Sequence, residues 1–409
     1  MGGGARAAHD APATGLALFV LVLTLGTAVF CGLVQRTIGD GLAAGADWTT
    51  GADASAIVAG TGTAGPGTGA GDGIRTAVQR LHTLDLVGQT DGALITQVAV
   101  ITVDPRQLAA VAPKSPLAAA LLSGLATAPG TRIDASVPLP SFLSPDLRAR
   151  ERTGGFTSSV SALGQRPVNL VLSPVGTLTG ADLHDPVLGP VTARIPAGTP
   201  MLITTAGAEH LMPEQSSGST VMLLKGGAPG GPAPATPAAL RSAAARTLGP
   251  LARIRVRSET LSALRADGLT RGLDATYTVT SVLAALSGLL TLALELTLTA
   301  HERGRTASFL RTLGLGGKEA GALHFLQLLP LAVASAVGGT LLGLLEPRLM
   351  APTLDLRQFT GGPAQPALRT DYSLTLALVV GVTALILVAA AAETALARRR
   401  RLGAVLRLS

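Results

Sequence analysis

Residues 15–34 read GLALFVLVLTLGTAVFCGLV, a run of 20 positions without a charged side chain. An α-helix rises about 1.5 Å per residue, so about 20 apolar residues cross the hydrocarbon core of a bilayer. Three later runs are of similar length and nearly as apolar: 277–300, 322–345 and 373–396. The sequence therefore predicts a membrane α-helical protein with four transmembrane helices.

The composition agrees with membrane insertion. Apolar residues make up 47% of the 409 residues and charged residues 14%, against about 25% charged residues in ordinary soluble domains. Ala, Gly, Leu and Arg are frequent, whereas Lys is rare. This bias is typical of a GC-rich bacterial genome. The formal net charge of +7 is not arranged as a basic stripe with interleaved aromatic residues, which are only 2% of the chain. We therefore predict no nucleic-acid partner.

The placement of basic residues predicts the orientation, because Lys and Arg are enriched in cytoplasmic loops. They cluster after the second and fourth apolar runs: Arg303, Arg305, Arg311, Lys318, Arg398, Arg399, Arg400, Arg401 and Arg407. Both termini are then cytoplasmic in a multi-pass protein of a bacterial plasma membrane. Residues 1–34 hold the short N-terminus and helix 1, 35–274 form an extracytoplasmic domain, and 275–409 hold helices 2–4 and the cytoplasmic tail.

Two alternatives concern the first apolar run. A cleaved signal peptide also combines a basic region with an apolar core, but here the basic region is Arg6 alone and the run is longer than such a core. Cys31 has the setting of a lipoprotein cysteine, but Phe30 before it is bulkier than the small residue that such a cleavage site needs. The pattern favours a retained helix. Because Cys31 is the only cysteine, no disulfide can form within the chain.

The segment 35–274 alternates strand and helix patterns. Apolar, β-branched runs predict strands at 93–103, 168–172, 220–224 and 254–257. Helices are predicted at 237–248, with Thr236 as N-cap, and at 258–266. Residues 35–47 continue the helical pattern of the first run, whereas the Gly-rich stretch 59–73 predicts a loop. The expected fold is a large α/β extracytoplasmic domain.

Motifs of catalysis and metal binding are missing from the sequence. It has no Gly-x-Ser-x-Gly elbow, and its six histidines never occur at i, i+3 or i, i+4 spacing. Residues 314–318 (GLGGK) lack the spacing and the following Ser or Thr of a nucleotide-binding loop. We predict no catalytic site, metal or cofactor, and no ATP hydrolysis by this chain.

Three short segments carry a family resemblance: 302–314 (ERGRTASFLRTLG), 354–362 (LDLRQFTGG) and 398–408 (RRRRLGAVLRL). Together with the order of one helix, a large outer domain and three helices, they resemble FtsX-like ABC transporter permeases. The outer part is similar to the MacB-like periplasmic core domain of that family. The resemblance implies a mechanotransmission permease that couples a separate cytoplasmic ATPase to movement, export or extraction of an amphiphile, peptide or lipoprotein.

The resemblance also implies partners. Many similar proteins hold two such modules in one chain and this one holds one, so we expect a second permease module, as a homodimer or a heterodimer, besides the ATPase and membrane lipid. The chain would otherwise be a fragment of a longer protein. The alternative function is a transmitter that transports nothing and activates an outer partner such as a cell-wall hydrolase. A membrane-anchored outer domain without an ATPase remains a third hypothesis.

The expected ATPase-coupling site is a short amphipathic helix after the second apolar run. Its residues are Glu302, Arg303, Arg305, Leu310, Arg311, Leu313 and Gly314. The arginines would meet acidic groups of the ATPase, and Gly314 would end the helix. The simpler hypothesis is that these arginines only set topology and touch lipid headgroups.

Other features of the apolar runs are an acid in two of them and a glycine pair in a third. Glu295 and Glu393 are intramembrane acids, which are costly and usually face protein or water. Structural pairing is favoured over a proton or substrate path. Gly339 and Gly343 form a small-xxx-small pair, which permits close helix approach.

Overall fold

The computed structural model describes residues 4–60, 73–88, 94–127, 132–134, 136–151, 156–159, 168–212, 218–227, 235–312, 317–350 and 357–366, with nine helical positions between 373 and 388. The chain divides into two compact bodies. The helical unit comprises Met1–Asp40, Asp267–Phe359 and Pro366–Ser409. The sheet unit comprises Gly41–Ala266 and Thr360–Gln365.

The elements follow one another along the chain in a mixed order of helices and strands. They are α1 (Gly4–Thr50), β1 (Ala54–Ala59), β2 (Arg75–Gly88), β3 (Leu94–Val103), α2 (Pro105–Val111), α3 (Pro116–Leu125), β4 (Leu139–Leu143), α4 (Pro145–Glu151), β5 (Phe156–Ser159), β6 (Val168–Leu170), β7 (Leu172–Thr177), α5 (Gly180–Leu183), α6 (Gly189–Thr192), β8 (Met201–Thr205), β9 (Gly218–Lys225), α7 (Pro237–Leu248), β10 (Arg253–Val256), α8 (Arg257–Ala266), α9 (Gly268–Thr312), α10 (Gly317–Met350) and α11 (Arg357–Thr360). Pro186–Leu188 and Ala206–Leu211 are 3-10 helices.

Within the described residues, two helical stretches are long and apolar enough to cross a membrane, Leu18–Thr50 in α1 and Gly268–Thr291 in α9. A signal sequence near the N-terminus meets the same criterion as the first stretch, so that alternative stays open. The third apolar run, 322–345, lies within α10. Of the fourth run, 373–396, the described positions are helical, and the remainder lies outside the described residues.

Glycine allows α10 to pack closely on α1 inside the helical unit. A Cβ added to Gly339 would lie 2.7 Å from the Cβ of Leu25. One added to Gly343 would lie 2.7 Å from both the Gly26 carbonyl oxygen and the Val29 Cβ. Carbon atoms in contact are normally about 3.5–4.0 Å apart, so only glycine fits at these positions. The close approach expected from the small-xxx-small pair is confirmed.

The sheet unit is built on a mixed ten-stranded sheet. Its strands run in the order β10-β1-β9-β2-β3-β8-β4-β7, while β5 joins β2 to β6. The pairs β3–β8 and β4–β7 are parallel, and the others are antiparallel. The expected α/β character is therefore present in this part of the chain.

Several predicted elements are confirmed in the sheet unit. Strands occur where three were expected, as β3, β9 and β10, and the fourth, 168–172, is divided between β6 and β7. Helix α7 has the predicted bounds, and the Thr236 hydroxyl accepts a hydrogen bond from the backbone N–H of Ala239. The helical pattern beyond the first apolar run continues to Thr50. Residues 61–72 of the predicted loop lie outside the described residues.

Alternating side chains of β2 reach cores on both faces of the sheet. Ala77 and Leu81 join a cluster that includes α2 and α3. Leu84 and Leu86 join a second cluster with α4. A third cluster forms where α7 packs on β1 and β9. The period of two in β2 thus fixes which side chains are buried on each face.

Candidate functional site

The predicted coupling residues lie at the C-terminal end of α9. Glu302, Arg303, Arg305, Leu310 and Arg311 belong to this helix, which runs unbroken from Gly268 to Thr312, while Leu313 and Gly314 lie outside the described residues. We expected a short helix after the second apolar run. Up to Thr312, these residues instead continue the same helix, α9, that contains the apolar run. The physical reason is that α9 contains no proline to interrupt its hydrogen bonds.

Of the two acids predicted to lie within the membrane, the structure describes the position of one. Glu295 lies in α9, within the second apolar run, 277–300. Glu393 lies outside the described residues. The structural pairing expected for these acids therefore stays a prediction.

A polar cluster that the sequence did not indicate lies on the sheet face opposite α2 and α3. The Arg80 guanidinium forms an ion pair with the carboxylate of Glu209, which lies in the 3-10 helix after β8. The Thr102 hydroxyl donates to the same carboxylate at 3.3 Å. Arg80 and Glu209 are 129 positions apart in the chain, so no local pattern relates them. In the sequence of β2, the polar residues Arg80 and His82 are two positions apart and therefore share one face of the strand. This spacing is the one local sign of a polar cluster.

Burial determines the charge state of this cluster. His82 is 4% exposed, and its burial, together with the positive charge of Arg80, lowers its pKa to about 4. Burial also lowers the pKa of Arg80. At neutral pH the cluster therefore contains a neutral imidazole beside an ion pair. No group of three or more His, Cys, Asp and Glu side chains within the described ranges is arranged to hold a metal ion.

An ion pair fixes the last turns of α1 to the start of α8. The carboxylate of Asp47 accepts hydrogen bonds from Nε and Nη2 of Arg257. These bonds, more than the opposing effect of burial, raise the pKa of Arg257. The backbone N–H of Arg257 also donates to the carbonyl oxygen of Asp53 at 2.9 Å. The two helices through which the chain enters and leaves the sheet unit are thus joined directly.

A second ion pair lies beside the first. The carboxylate of Asp53, just before β1, accepts from Lys225 Nζ at 2.7 Å and from the Gly226 backbone N–H at 3.1 Å. It ties the start of β1 to the end of β9, which is its neighbour in the sheet. The two pairs together hold four chain segments at one corner of the sheet unit.

A cavity of about 290 Å³ lies beside α4. Its lining includes apolar Ile95, Leu147 and Pro200, with Asp146 and Arg150 one helical turn apart. Among the described residues, this lining belongs to no group of three or more His, Cys, Asp and Glu side chains that could hold a metal ion. We assign the cavity no function.

Comparison with protein families and with curated sequences gave no match. No protein-family model matches the chain, and no curated protein sequence does. The resemblance to FtsX-like permeases therefore depends on the order of the segments and on the residues quoted for it.

Proposed function

We propose that this chain is the permease subunit of an ABC transporter of the mechanotransmission type. In this proposal it couples a separate cytoplasmic ATPase to extracytoplasmic movement, or to export or extraction of an amphiphile, peptide or lipoprotein. It belongs to the FtsX-like permeases, with a MacB-like outer domain, and pairs with a second permease module.

The continuous helix at the first chain connection between the units is the observation that supports this proposal most. Helix α1 continues without a break past the boundary at Asp40. At the second boundary, Asp267 alone separates α8 from α9. Helical connections are stiff, whereas flexible loops lose a displacement within a few residues. A protein that transmits movement along its chain needs such connections.

The proposed topology has four transmembrane helices, both termini in the cytoplasm and residues 35–274 outside. Two stretches of sufficient length and hydropathy support it. The arginines after the second and fourth apolar runs favour the orientation. The acids Glu295 and Glu393 then lie near the cytoplasmic ends of their helices.

The proposed ATPase partner binds the end of α9 and the residues that follow it. A partner is needed because the sequence has no nucleotide-binding loop. At the binding surface Leu310 and Leu313 supply apolar contact, and Arg311 meets an acidic group. Lipid headgroups surround the remaining basic residues.

Replacing both leucines, Leu310→Asp with Leu313→Asp, tests this assignment. Burying two carboxylates without partners costs several kcal/mol, which lowers affinity by about a hundredfold or more. The measurement is the amount of ATPase that co-purifies with the full-length protein from membranes in mild detergent. The ATP hydrolysis rate of the same membranes gives a second readout.

Arg311→Glu is the matched control. A partly exposed ion pair is screened by salt, so this variant should weaken binding less, and mainly at low salt. Retention of the ATPase by the double aspartate variant at the wild-type level would show that these residues only set topology. Purification of the wild-type protein without any ATPase would contradict the permease assignment itself, and a co-purifying secreted hydrolase would identify a transmitter that transports nothing.

A further inference from the structure

Six residues between the third and fourth apolar runs belong to the sheet unit. The neighbours Phe359 and Pro366 group with the helical unit, but Thr360–Gln365 group with the sheet unit. Thr360 is 1% exposed, which is unusual for a short connecting segment, because connections generally run over the surface.

The segment is seated on the last turns of α1 through backbone atoms. A Cβ added to Gly45 would lie 1.9 Å from the carbonyl oxygen of Thr360 and 3.2 Å from the nitrogen of Gly362. Conversely, a Cβ added to Gly362 would lie 3.4 Å from the Cα of Gly45. The carbonyl oxygen thus occupies the space that any other residue at position 45 would need. Any side chain there must displace the segment.

The same segment also lies beside α8. Gly361 has a φ of +67°, a conformation that glycine adopts without the cost other residues pay. A Cβ at this position would lie 3.4 Å from Cδ2 of Leu264, in ordinary contact. The turn at Gly361 therefore places the segment against both α1 and α8.

We propose that Thr360–Gln365 is a clasp that holds the last turns of α1 and α8 together and ties the chain leading to residues 373–396 to them. Gly45, Leu264 and the clasp all belong to the sheet unit, and each lies within a few residues of a point at which the chain passes between the units. Through these contacts a displacement of α1 is passed to α8. A role of the clasp in transmitting movement rests on the proposed permease function. The contacts that define the clasp do not.

The test uses the full-length protein, purified in mild detergent, with Cys31→Ser to remove the only native thiol. Single cysteines are then introduced as Thr360→Cys and, as an exposed reference in the same segment, Ala364→Cys. A hydrophilic maleimide should modify Thr360→Cys at least about tenfold more slowly, because a buried site reacts only through local opening. Adding Gly45→Val should bring the two rates to within about threefold of each other.

Gly39→Val is the matched control. Gly39 lies in the same helix, and a Cβ there meets nothing within 4 Å. Valine has a higher helix propensity than glycine, so neither variant weakens α1 itself. Gly39→Val should leave the slow modification of Thr360→Cys unchanged.

Hydrogen exchange provides a second measurement in protein without introduced cysteines. Gly45→Val should speed exchange of the backbone amides in 360–365 and leave the amides of β1 and β9 protected, which shows that the sheet unit is folded. Thr360→Cys reacting as fast as Ala364→Cys before Gly45 is changed would overturn the clasp. So would a Gly45→Val protein in which both modification and exchange stay as in the parent.

The results of these experiments do not depend on whether the proposed function is correct. Neither measurement requires an ATPase, so each reports on the clasp alone. Gly45→Val should still co-purify with the ATPase, because the end of α9 is unchanged. Loss of that partner from the wild-type protein would count against the permease assignment and leave the clasp intact.

Discussion

Many leucines of α9 and α10 in the helical unit are exposed, whereas leucines in the core of the sheet unit are buried. In α9, Leu283 and Leu290 are 57% and 63% exposed, and Leu341 in α10 is 63% exposed. In the sheet unit, Leu86 and Leu121 are completely buried. In water, a long exposed apolar face promotes association or aggregation, whereas in a bilayer the lipid tails cover it. The contrast favours a lipid environment for the exposed leucines of the helical unit and an aqueous one for the sheet unit.

The difference extends to the forces that stabilise each unit. The sheet unit buries large side chains and is stabilised by removing them from water. Lipid tails are as apolar as leucine, so helices in a bilayer associate through close packing of small residues. Gly26, Gly339 and Gly343 supply that packing between α1 and α10. The two units should therefore respond differently to the same kind of substitution.

The largest expected difference comes from shortening a leucine in each unit. Leu121→Ala leaves a cavity in the core of the sheet unit and should cost about 2–5 kcal/mol of its unfolding free energy. Leu341→Ala removes an exposed side chain and should cost less than about 1 kcal/mol. The sole tryptophan, Trp48, reports unfolding of the sheet unit by fluorescence in urea. Equal losses in the two variants would break the comparison.

Acid should destabilise the sheet unit through His82. The pKa of this group falls from 6.5 to about 4 in the folded state, so the unfolded chain binds a proton that the folded chain does not. Stability is unaffected above about pH 6.5 and is lost as the pH falls towards 4, by about 3 kcal/mol in total. The measurement is the urea midpoint of Trp48 fluorescence from pH 7.5 to 4.

His82→Gln should remove this part of the acid dependence, whatever it does to stability at neutral pH. His184→Gln, at an exposed position, is the matched control and should keep the full dependence. If His82→Gln has the same slope between pH 6.5 and 4 as the parent protein, another group is responsible.

The sequence predicted elements with a strong local signal and missed those that depend on distant partners. The apolar run in β3 and the Thr236 N-cap of α7 were visible locally and are confirmed. The central strand β2 was missed because Arg80 and His82 interrupt its apolar pattern. The burial of Arg80 is compensated by its ion pair with Glu209, far along the chain. The contact of Gly45 with Thr360 was equally invisible, since nothing near either residue specifies the other.

The helix that carries the candidate coupling residues was predicted only in part. The charged segment after the second apolar run identified a candidate surface, but the length of α9 was not foreseen. Periodicity does not distinguish a helix that ends at the bilayer from one that continues beyond it. The prediction of this segment therefore depended on the order of the apolar runs along the chain.

Packing between α1 and α10 should depend on the absence of a side chain at position 343. Gly343→Val would place carbon atoms against the Gly26 carbonyl and Val29, at a cost of about 1–3 kcal/mol. Cys31, 2% exposed in α1, is a native probe of this contact. Its reaction with a small maleimide in detergent should become roughly tenfold faster.

Gly272→Val is the control for that substitution, because a Cβ at this position of α9 meets nothing within 4 Å. It should leave the reaction of Cys31 unchanged. An unchanged Cys31 rate in Gly343→Val as well would mean that α1 and α10 do not depend on close approach, and the contrast between the two units would then lose its basis in packing.

The smallest expected effect concerns backbone strain in the sheet unit. Gln97 has a φ of +55° where the pairing of β2 with β3 shifts register, and its N–H donates to the carboxylate of Asp85 at 2.8 Å. Glycine at this position keeps that bond and removes the left-handed strain, so Gln97→Gly should raise stability by less than about 1 kcal/mol. The neighbour Thr96, also exposed, does not have a positive φ, so Thr96→Gly should lower stability instead. Opposite signs in the urea midpoint of Trp48 fluorescence would locate the strain at Gln97, whereas a loss in both variants would show that the bulge is relaxed.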